Sequence, residues 1–466
     1  MSERFDTIIR GGLVVLEGRD EPVKLDIGIK DGKIAELAPR LEGESASELN
    51  AEGKIVLPGG IDMHVHFNEP GMSHWEGFPT GSASLAAGGF TAYADMPLNG
   101  LPPTVDIPAL NMKAELAAGR SAVDYAFWGG LVPGKLDQLE ALAEAGVIAF
   151  KAFMSSPGGE GEGRFTEVDE LTLYRGMERI ASFGGILALH AENDALTSLL
   201  AQEAIAAGRT GALDYAASRP PVAELEAVNR ALFYAQQTGC KLHFVHISTP
   251  EAIDLIDSAK KSGMDVTNET CPHYLILTEK DMERLGPVAK CAPPLRDSDR
   301  VEAMWERLAA GKIDMVTSDH SPCTTELKDP TGKTFFDSWG GISGAQSSLE
   351  LLFHEGVNRR KLPVGLLARV FSEGPARRFG LYPAKGAIAK GFDADLAIID
   401  PNESYMLTAE RLLYRNRHSP YTGMEFSCRV SATLCRGQLV YTAEDGIVKA
   451  AGGARLSVKP GKALKV

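Results

Sequence analysis

The first fifty-odd residues carry short apolar runs and turn signals that are typical of β-strands. Residues 7–15 are apolar and β-branched, and residues 25–30 alternate apolar with polar side chains. The next apolar run follows directly after Asp31-Gly32, a dipeptide that favours a tight two-residue hairpin. The pattern therefore predicts a small β-layer over residues 1–56.

From residue 57 to residue 384, apolar strands alternate with helical stretches. The predicted strands are residues 90–96, 125–131, 147–153, 185–190, 241–246, 265–269 and 314–317. The predicted helices are residues 135–145, 167–183, 222–238 and 249–262. Seven or eight such units predict an α/β fold, a (β/α)8 TIM-type barrel with its site at the carboxyl ends of the strands. A doubly wound open sheet is the alternative, and it explains less well why histidines end several strands.

After Lys385 the strand pattern returns. We expect both ends of the chain, residues 1–56 and 385–466, to pair in one small β-sandwich domain beside the barrel at residues 57–384. The last fifteen residues, from Gly452, are expected to form a loosely held tail.

Two histidines separated by one residue, His64 and His66, end the first predicted barrel strand. Side chains alternate along a strand, so both imidazoles face the same way and make half of a metal site. One such pair is ordinarily explained as a polar strand end. Here, however, later strands supply more candidate metal ligands. These are Lys151, His190, His246 and Asp319. His243 lies three residues before His246 and so faces the other way, which favours a packing or surface position.

Lys151 is the single charged residue in the apolar run from residue 146 to residue 153. The ordinary expectation for a lysine is a head group in solvent. Burial in such a strand would instead depress its pKa and make the amine nucleophilic. Such an amine can take up carbon dioxide as a carbamate, which is a carboxylate able to bridge two cations.

Four histidines, a buried lysine and an aspartate suit two divalent metal ions, with zinc expected first and cobalt or manganese as alternatives. Two such ions share a hydroxide and polarise a carbonyl. Asp319 is then the general base that accepts the proton and the general acid that returns it to a leaving nitrogen. The predicted chemistry is hydrolysis of an amide-like or ester-like bond.

Charge and composition exclude several classes of partner. The formal net charge is −14, and no cluster of Lys and Arg offers a footprint for nucleic acid or an anionic membrane. The first residues lack the apolar core of a signal peptide, and no window is apolar enough to span a bilayer. The six cysteines form no C-x-x-C pair, which favours a cytoplasmic location.

The assembled residues resemble the cyclic amidohydrolase branch of the amidohydrolase superfamily, which holds dihydroorotases, hydantoinases and allantoinases. The resemblance covers nearly the whole chain, including residues 58–66, the strand lysine, residues 318–320 and the return to the β-domain at residues 393–396. It implies the same six metal ligands, with Lys151 carboxylated.

Within the branch, several stretches resemble allantoinases in particular. They are residues 66–71, 73–77, 95–99, 218–220, 269–274, 289–297, 318–323 and 339–344. Two departures from the sister families agree with this. Asn68 stands where dihydroorotases place an arginine for a substrate carboxylate. Residues 152–163 lack the tyrosine of hydantoinases and instead contain a glycine-rich stretch, predicted as a mobile loop.

The resemblance implies hydrolysis of the small molecule allantoin to allantoate. Four residues are implied in substrate binding, namely Asn99, Ala292, Ser321 and Gly340. It also implies a homo-oligomer, a tetramer or a dimer. Two alternatives are a hydantoinase-type cyclic amidase and a metal-free, non-catalytic scaffold. The scaffold is disfavoured because all six candidate ligands are present.

Overall fold

The computed structural model describes residues 4–158 and 163–458. Its N-terminal strands form a β-layer, as expected, and Asp31 and Gly32 join two of them with φ angles of 51° and 76°. These left-handed values suit a tight hairpin turn. The strands are β1 (Arg4–Val14), β2 (Val23–Lys30), β3 (Lys33–Ala38), β4 (Glu44–Asn50) and β5 (Ile55–Pro58).

The middle of the chain forms a closed barrel of parallel strands, which confirms the predicted fold class. The strands are β6 (Gly60–Val65), β7 (Phe90–Asp95), β8 (Asp124–Phe127), β9 (Gly129–Gly130), β10 (Phe150–Phe153), β11 (Ile186–His190), β12 (Lys241–Phe244), β13 (Val266–Thr270) and β14 (Met315–Val316). Because β8 and β9 are parts of one strand, the described residues give eight barrel strands. The Ser318 amide donates to the Asp62 carboxylate and the His66 amide to the His320 carbonyl, which closes β14 onto β6.

Helices cover the outside of the barrel. They are α1 (Phe78–Ala87), α2 (Ile107–Ala117), α3 (Leu139–Glu144), α4 (Glu170–Ser182), α5 (Asp194–Ala206), α6 (Ala212–Ser218), α7 (Pro221–Thr238), α8 (Pro250–Lys261), α9 (Pro272–Ile276), α10 (Glu279–Leu285), α11 (Ser298–Ala309), α12 (Ser348–Leu352), α13 (Gly365–Ala368) and α14 (Gly374–Arg378). A separate apolar cluster fills the barrel, where Ile61, Ala92, Ala126, Ala188 and Met315 pack together from five strands. The barrel is therefore a packed core with its opening at one end.

Both ends of the chain join one β-rich domain, which confirms the predicted arrangement. Its later strands are β15 (Leu396–Asp400), β16 (Tyr405–Met406), β17 (Glu425–Phe426), β18 (Arg429–Cys435), β19 (Gln438–Thr442) and β20 (Gly446–Ile447). Strand β15 lies between β5 and β18, so the N-terminal and C-terminal strands hydrogen-bond in one nine-stranded sheet. The exact domain boundaries at residues 56/57 and 384/385 stay predictions.

The predicted loose tail is wrong for residues 452–458. The amides of Gly453, Ala454 and Leu456 donate to the Ser121 carbonyl, the Asp124 carboxylate and the Tyr125 carbonyl, respectively, and the Leu456 side chain is buried. This segment pairs beside β8, a contact between parts of the chain that lie 330 residues apart. Residues 459–466, also assigned to the tail, lie outside the described residues.

None of the described helices combines the length and the apolar character that crossing a membrane requires.

Candidate metal centre and substrate cavity

The first cluster of candidate ligands joins the two histidines after β6 to the aspartate after β14. His64 Nε2 lies 3.2 Å and His66 Nε2 lies 3.4 Å from Asp319 Oδ1. All three side chains are buried. Two donor atoms of one tetrahedral zinc ion, each at about 2.0–2.2 Å, would be about 3.4 Å apart. The spacing of these donors therefore fits a single divalent cation.

Hydrogen bonds to the opposite ring nitrogens leave both Nε2 atoms free to bind a cation. His64 Nδ1 lies 2.5 Å from Glu269 Oε1, and His66 Nδ1 lies 2.9 Å from the Leu98 carbonyl oxygen. A carbonyl or carboxylate can only accept, so each Nδ1 carries the proton. Each Nε2 then presents a lone pair to the Asp319 oxygen, an arrangement that a cation between them would stabilise.

The second cluster lies at the ends of β11 and β12. His190 Nδ1 and His246 Nε2 are 3.0 Å apart, and His190 Nε2 donates to Glu192 Oε2 at 2.8 Å. The Arg219 guanidinium holds the other side of that carboxylate. Glu192 therefore fixes the His190 ring with its Nδ1 lone pair towards His246, as expected for a second metal position.

Backbone conformation aims two of these side chains. His246 does not end a strand as predicted, because β12 stops at Phe244 and His246 follows in a left-handed conformation with φ of 39°. Asp319 and Asn68 adopt φ angles of 44° and 64°. Left-handed backbone is uncommon for residues other than glycine, and such strain is concentrated at functional sites.

Lys151 lies on β10, fully buried, and its Nζ atom has no hydrogen-bond partner among the described residues. The centroid of the Phe153 ring lies 4.9 Å from Nζ. Burial lowers the pKa of the ammonium to about 7, against the opposing influence of Asp319 and Glu269. An amine that is about half neutral at pH 7, and that has no hydrogen-bond partner among the described residues, agrees with a group that is completed by chemistry in the site.

Burial also lowers the pKa of His64, His190 and His246, and the neighbouring Lys151 charge contributes to each shift. Lys151 thus lies close to residues of both clusters. Neutral imidazoles are the form that binds metal ions. The donor set of four histidines, one aspartate and one orphaned lysine fits a centre for two divalent metal ions, although the ligand roles of the individual residues stay predictions.

A cavity of about 760 Å³ opens beside these residues. The residues implied in substrate binding, Asn99, Ala292, Ser321 and Gly340, all line it. Ser321 Oγ donates to Asp319 Oδ1 at 3.1 Å, and Asn99 Nδ2 donates to Asn68 Oδ1 at 3.3 Å. The structure therefore brings the four substrate candidates to one cavity with five of the six ligand candidates, while Lys151 lies buried behind the wall.

Several polar residues of the site received no specific role from the sequence. Glu269 bridges two histidines, with Oε2 lying 3.0 Å from His243 Nε2, so His243 is buried and supports the site. His273 is buried with neither ring nitrogen bonded to a described residue, and burial lowers its pKa to about 4. The sequence signals for Glu269 and His273 were their place at or near the end of a barrel strand and the resemblance of residues 269–274 to allantoinases.

The glycine-rich stretch predicted as a mobile loop is described only in part. Ser156, Pro157 and Gly158 line the cavity, and the Ser156 amide donates to Asp194 Oδ1 at 2.9 Å. Residues 159–162 lie outside the described residues.

Residues 55–440 match the sequence family described as the Amidohydrolase family. The chain is 49% identical to an allantoinase of Rubrobacter xylanophilus over 94% of each chain. It is 47% identical to an allantoinase of Bacillus velezensis over 98% of each chain.

Solved structures of hydantoinases are also similar to this chain. The L-hydantoinase (dihydropyrimidinase) of Arthrobacter aurescens superposes with a TM-score of 0.93 at 34% identity, covering 97% of this chain and 100% of that one. The D-hydantoinase (dihydropyrimidinase) of a Thermus species gives 0.90 at 28% identity, covering 97% and 99%. The chain therefore belongs to the amidohydrolase family, in the same group of sequences as these allantoinases.

Proposed function

We propose that this protein is a cyclic amide hydrolase that opens the ring of allantoin to give allantoate. Water adds its oxygen to the ring carbonyl carbon, the ring C–N bond breaks, and the leaving nitrogen takes up a proton. The observation that carries the proposal is the paired cluster of His64, His66 and Asp319 with His190 and His246, facing one cavity. The full-length identity to allantoinases supports the choice of ring.

The metal centre would be held by His64, His66 and Asp319 on one side and His190 and His246 on the other. Carboxylated Lys151 would complete it, formed when the neutral amine adds carbon dioxide and releases one proton. Zinc is the expected metal, with cobalt or manganese as alternatives. When bound, two divalent ions supply Lewis acidity towards the carbonyl and lower the pKa of water.

The protein groups around the reacting bond have separate tasks. Asp319 would accept a proton from the attacking water and return it to the leaving nitrogen. Ser321 holds the Asp319 carboxylate through its 3.1 Å hydrogen bond, which fixes the direction of that transfer. The side chain of Asn99 and the backbone near Ala292 and Gly340 line the cavity and would bind the polar edges of the substrate. No cationic anchor stands at Asn68, as suits an uncharged ring.

Turnover of a panel of rings tests the proposal. Purified protein supplied with zinc, cobalt or manganese should release allantoate and bind two metal ions per chain. Fast opening of hydantoin or dihydrouracil without allantoin turnover would keep the mechanism and assign a hydantoinase, the alternative that fits the names of the similar solved structures. Two bound metals without turnover of any ring would point to a scaffold. Absence of bound metal would refute the site.

Carboxylation of Lys151 has a direct test. Protein prepared with ¹³C-bicarbonate should show one carbamate carbon resonance, and the Lys151→Ala variant should lack it. A wild-type spectrum without that resonance would contradict the proposed modification.

We also propose a homo-oligomer in the cytoplasm. Leu171 on α4, Leu199 on α5 and Phe233 on α7 are each more than half exposed on neighbouring helices, which is typical of a subunit interface. Phe233→Glu should reduce the native mass, measured by light scattering, while Met406→Glu, at an equally exposed apolar site, should not. All six cysteines are unpaired and buried, which agrees with a reducing compartment.

A further inference from the structure

Two segments form the cavity wall that carries Ala292 and Gly340. The 287–292 segment contributes Lys290 and Ala292. The 324–341 loop contributes Leu327, Gly340 and several residues between them. Its regular structure is limited to two short turns, Thr325–Leu327 and Phe335–Asp337. Such a loop needs tertiary contacts to keep a fixed position.

Lys328 ties the loop to the other segment. The side chain is buried, and its Nζ atom donates to the carbonyl oxygens of Pro287 at 2.8 Å, Trp339 at 2.8 Å and Gly341 at 2.6 Å. An ammonium group has three donors, and all three are used here. Two of the carbonyls flank Gly340, so this one cation fixes the backbone on both sides of it.

Lys290 makes the reciprocal connection. It belongs to the 287–292 segment, is buried, and donates to the loop carbonyls of Phe335 at 2.7 Å, Phe336 at 3.0 Å and Ser338 at 2.6 Å. Its Nζ atom also lies 4.6 Å from the centroid of the Tyr215 ring. Each segment thus gives one lysine to the backbone of the other.

Neither lysine has a carboxylate partner among the salt bridges of the described residues. Burying a cation that only carbonyls compensate is costly, and burial accordingly lowers the pKa of Lys290 to about 7 and that of Lys328 to about 8. An apolar side chain would serve packing better. A side chain that satisfies three carbonyls from one point is needed only where the backbone position itself matters. The two lysines are therefore not explained by stability alone.

We propose that Lys290 and Lys328 form a reciprocal clasp that fixes the spacing of the 287–292 segment and the 324–341 loop. The clasp positions the backbone groups near Ala292 and Gly340 that bind the substrate, so both lysines are positioning residues. The clasp itself is a feature of the fold, and its effect on the binding of allantoin rests on the proposed function.

The kinetic test uses Lys290→Met and Lys328→Met with Lys333→Met as the matched control. Lys333 lies in the same loop but is exposed and donates to a single carbonyl, that of Glu326. Both clasp variants should raise KM for allantoin about tenfold or more while kcat changes less than about threefold, because binding geometry is lost before the metal chemistry. Metal content should stay unchanged, and Lys333→Met should match wild type. Wild-type KM in both clasp variants would overturn the proposal.

Amide hydrogen exchange separates this proposal from the proposed function, since it needs no substrate. Amides of residues 324–341 should exchange faster in Lys290→Met and Lys328→Met than in wild type or Lys333→Met. A wild-type protein that leaves allantoin intact would refute the proposed function, and the exchange data would still decide the clasp. Unchanged exchange in both variants would overturn it.

Gly340→Ala keeps the test decisive if the clasp variants fail to fold. A Cβ atom at Gly340 would come no closer than 3.9 Å to Tyr215 Oη and 4.0 Å to Lys290 Cε, so the substitution fits the folded wall. A methyl group on a substrate-binding surface should raise KM for allantoin. Unchanged KM would remove Gly340 from that surface and overturn the proposal.

Discussion

Two buried lysines at opposite ends of the barrel have opposite environments. Lys151 lies near the carboxyl ends of the strands, and its Nζ atom bonds to no described residue. Lys385 lies near the amino end of β8, where its Nζ atom contacts Asp395 at 2.6 Å, Asp124 at 2.7 Å and Asp393 at 3.2 Å. One lysine joins two domains through paired charges, and the other is left unpaired in the site.

The pKa values of the two groups differ accordingly. Burial lowers the pKa of Lys151 to about 7. Burial acts in the same direction on Lys385, but Asp395 and Asp124 outweigh it and hold the pKa well above its ordinary value. Equal burial therefore gives a reactive amine in one place and a permanent cation in the other, and the difference comes from the carboxylates supplied.

Removing the unpaired lysine should affect activity and leave the fold intact. We expect Lys151→Ala to lower kcat/KM at least about 10³-fold and to lose bound metal, because the proposed bridging ligand is gone. Its thermal midpoint without metal should not fall. Wild-type metal content together with wild-type turnover would contradict the role given to Lys151.

Removing Lys385, the paired lysine, should lower the stability of the fold and leave metal binding intact. Lys385→Met leaves buried carboxylates uncompensated, so we expect a loss of about 3–5 kcal/mol in unfolding free energy, with zinc content unchanged in the folded fraction. Urea titration measures the loss. Lys33→Met is the matched control, since Lys33 reaches the same cluster only through Asp393 at 3.3 Å and is partly exposed. It should cost less than about 1 kcal/mol. Equal losses would show that the cluster is not a buried unit.

The sequence predicted what depends on local pattern. Alternating strands and helices indicated the barrel, and histidines, a lysine and an aspartate at the ends of strands indicated the site. The hydrogen bond from Lys328 to Pro287 could not be predicted from the sequence, because it joins segments 41 residues apart and its acceptor is a backbone carbonyl. Glu269 gave no signal beyond its place in a stretch that resembles allantoinases, since a carboxylate is usually exposed. His246 was placed on a strand because its own left-handed conformation falls on a residue other than glycine and so leaves no mark in the sequence.

The two lysines should also differ in how stability depends on pH. Between pH 7 and 10.5 the metal-free folded protein holds Lys151 neutral while the unfolded chain holds it charged, so unfolding takes up a proton. Stability should therefore rise with pH in this window, by at most about 1.4 kcal/mol per pH unit. Below pH 7 both states are charged and the contribution is constant.

Chemical denaturation of metal-free protein at pH 7 and pH 9 measures that slope. Wild type should gain about 2–3 kcal/mol relative to Lys151→Met, which lacks the titrating group. Lys385→Met should keep the wild-type slope, because Lys385 is charged in both states below pH 10.5. Parallel pH profiles for wild type and Lys151→Met would show that Lys151 is charged in the folded protein.

The smallest expected effect concerns the carboxylate that aims His64. Glu269 accepts a hydrogen bond from His64 through Oε1 and from His243 through Oε2. Glu269→Gln therefore keeps the shape of the side chain but weakens its hydrogen bond to His64. We expect metal affinity to fall about 10–100-fold, measured by competition with a chelator. Thr267→Val is the control, because it removes the 2.9 Å contact to His243 Nδ1 and leaves His64 untouched. Equal affinity in Glu269→Gln and Thr267→Val would mean that the ring of His64 is held by the barrel alone.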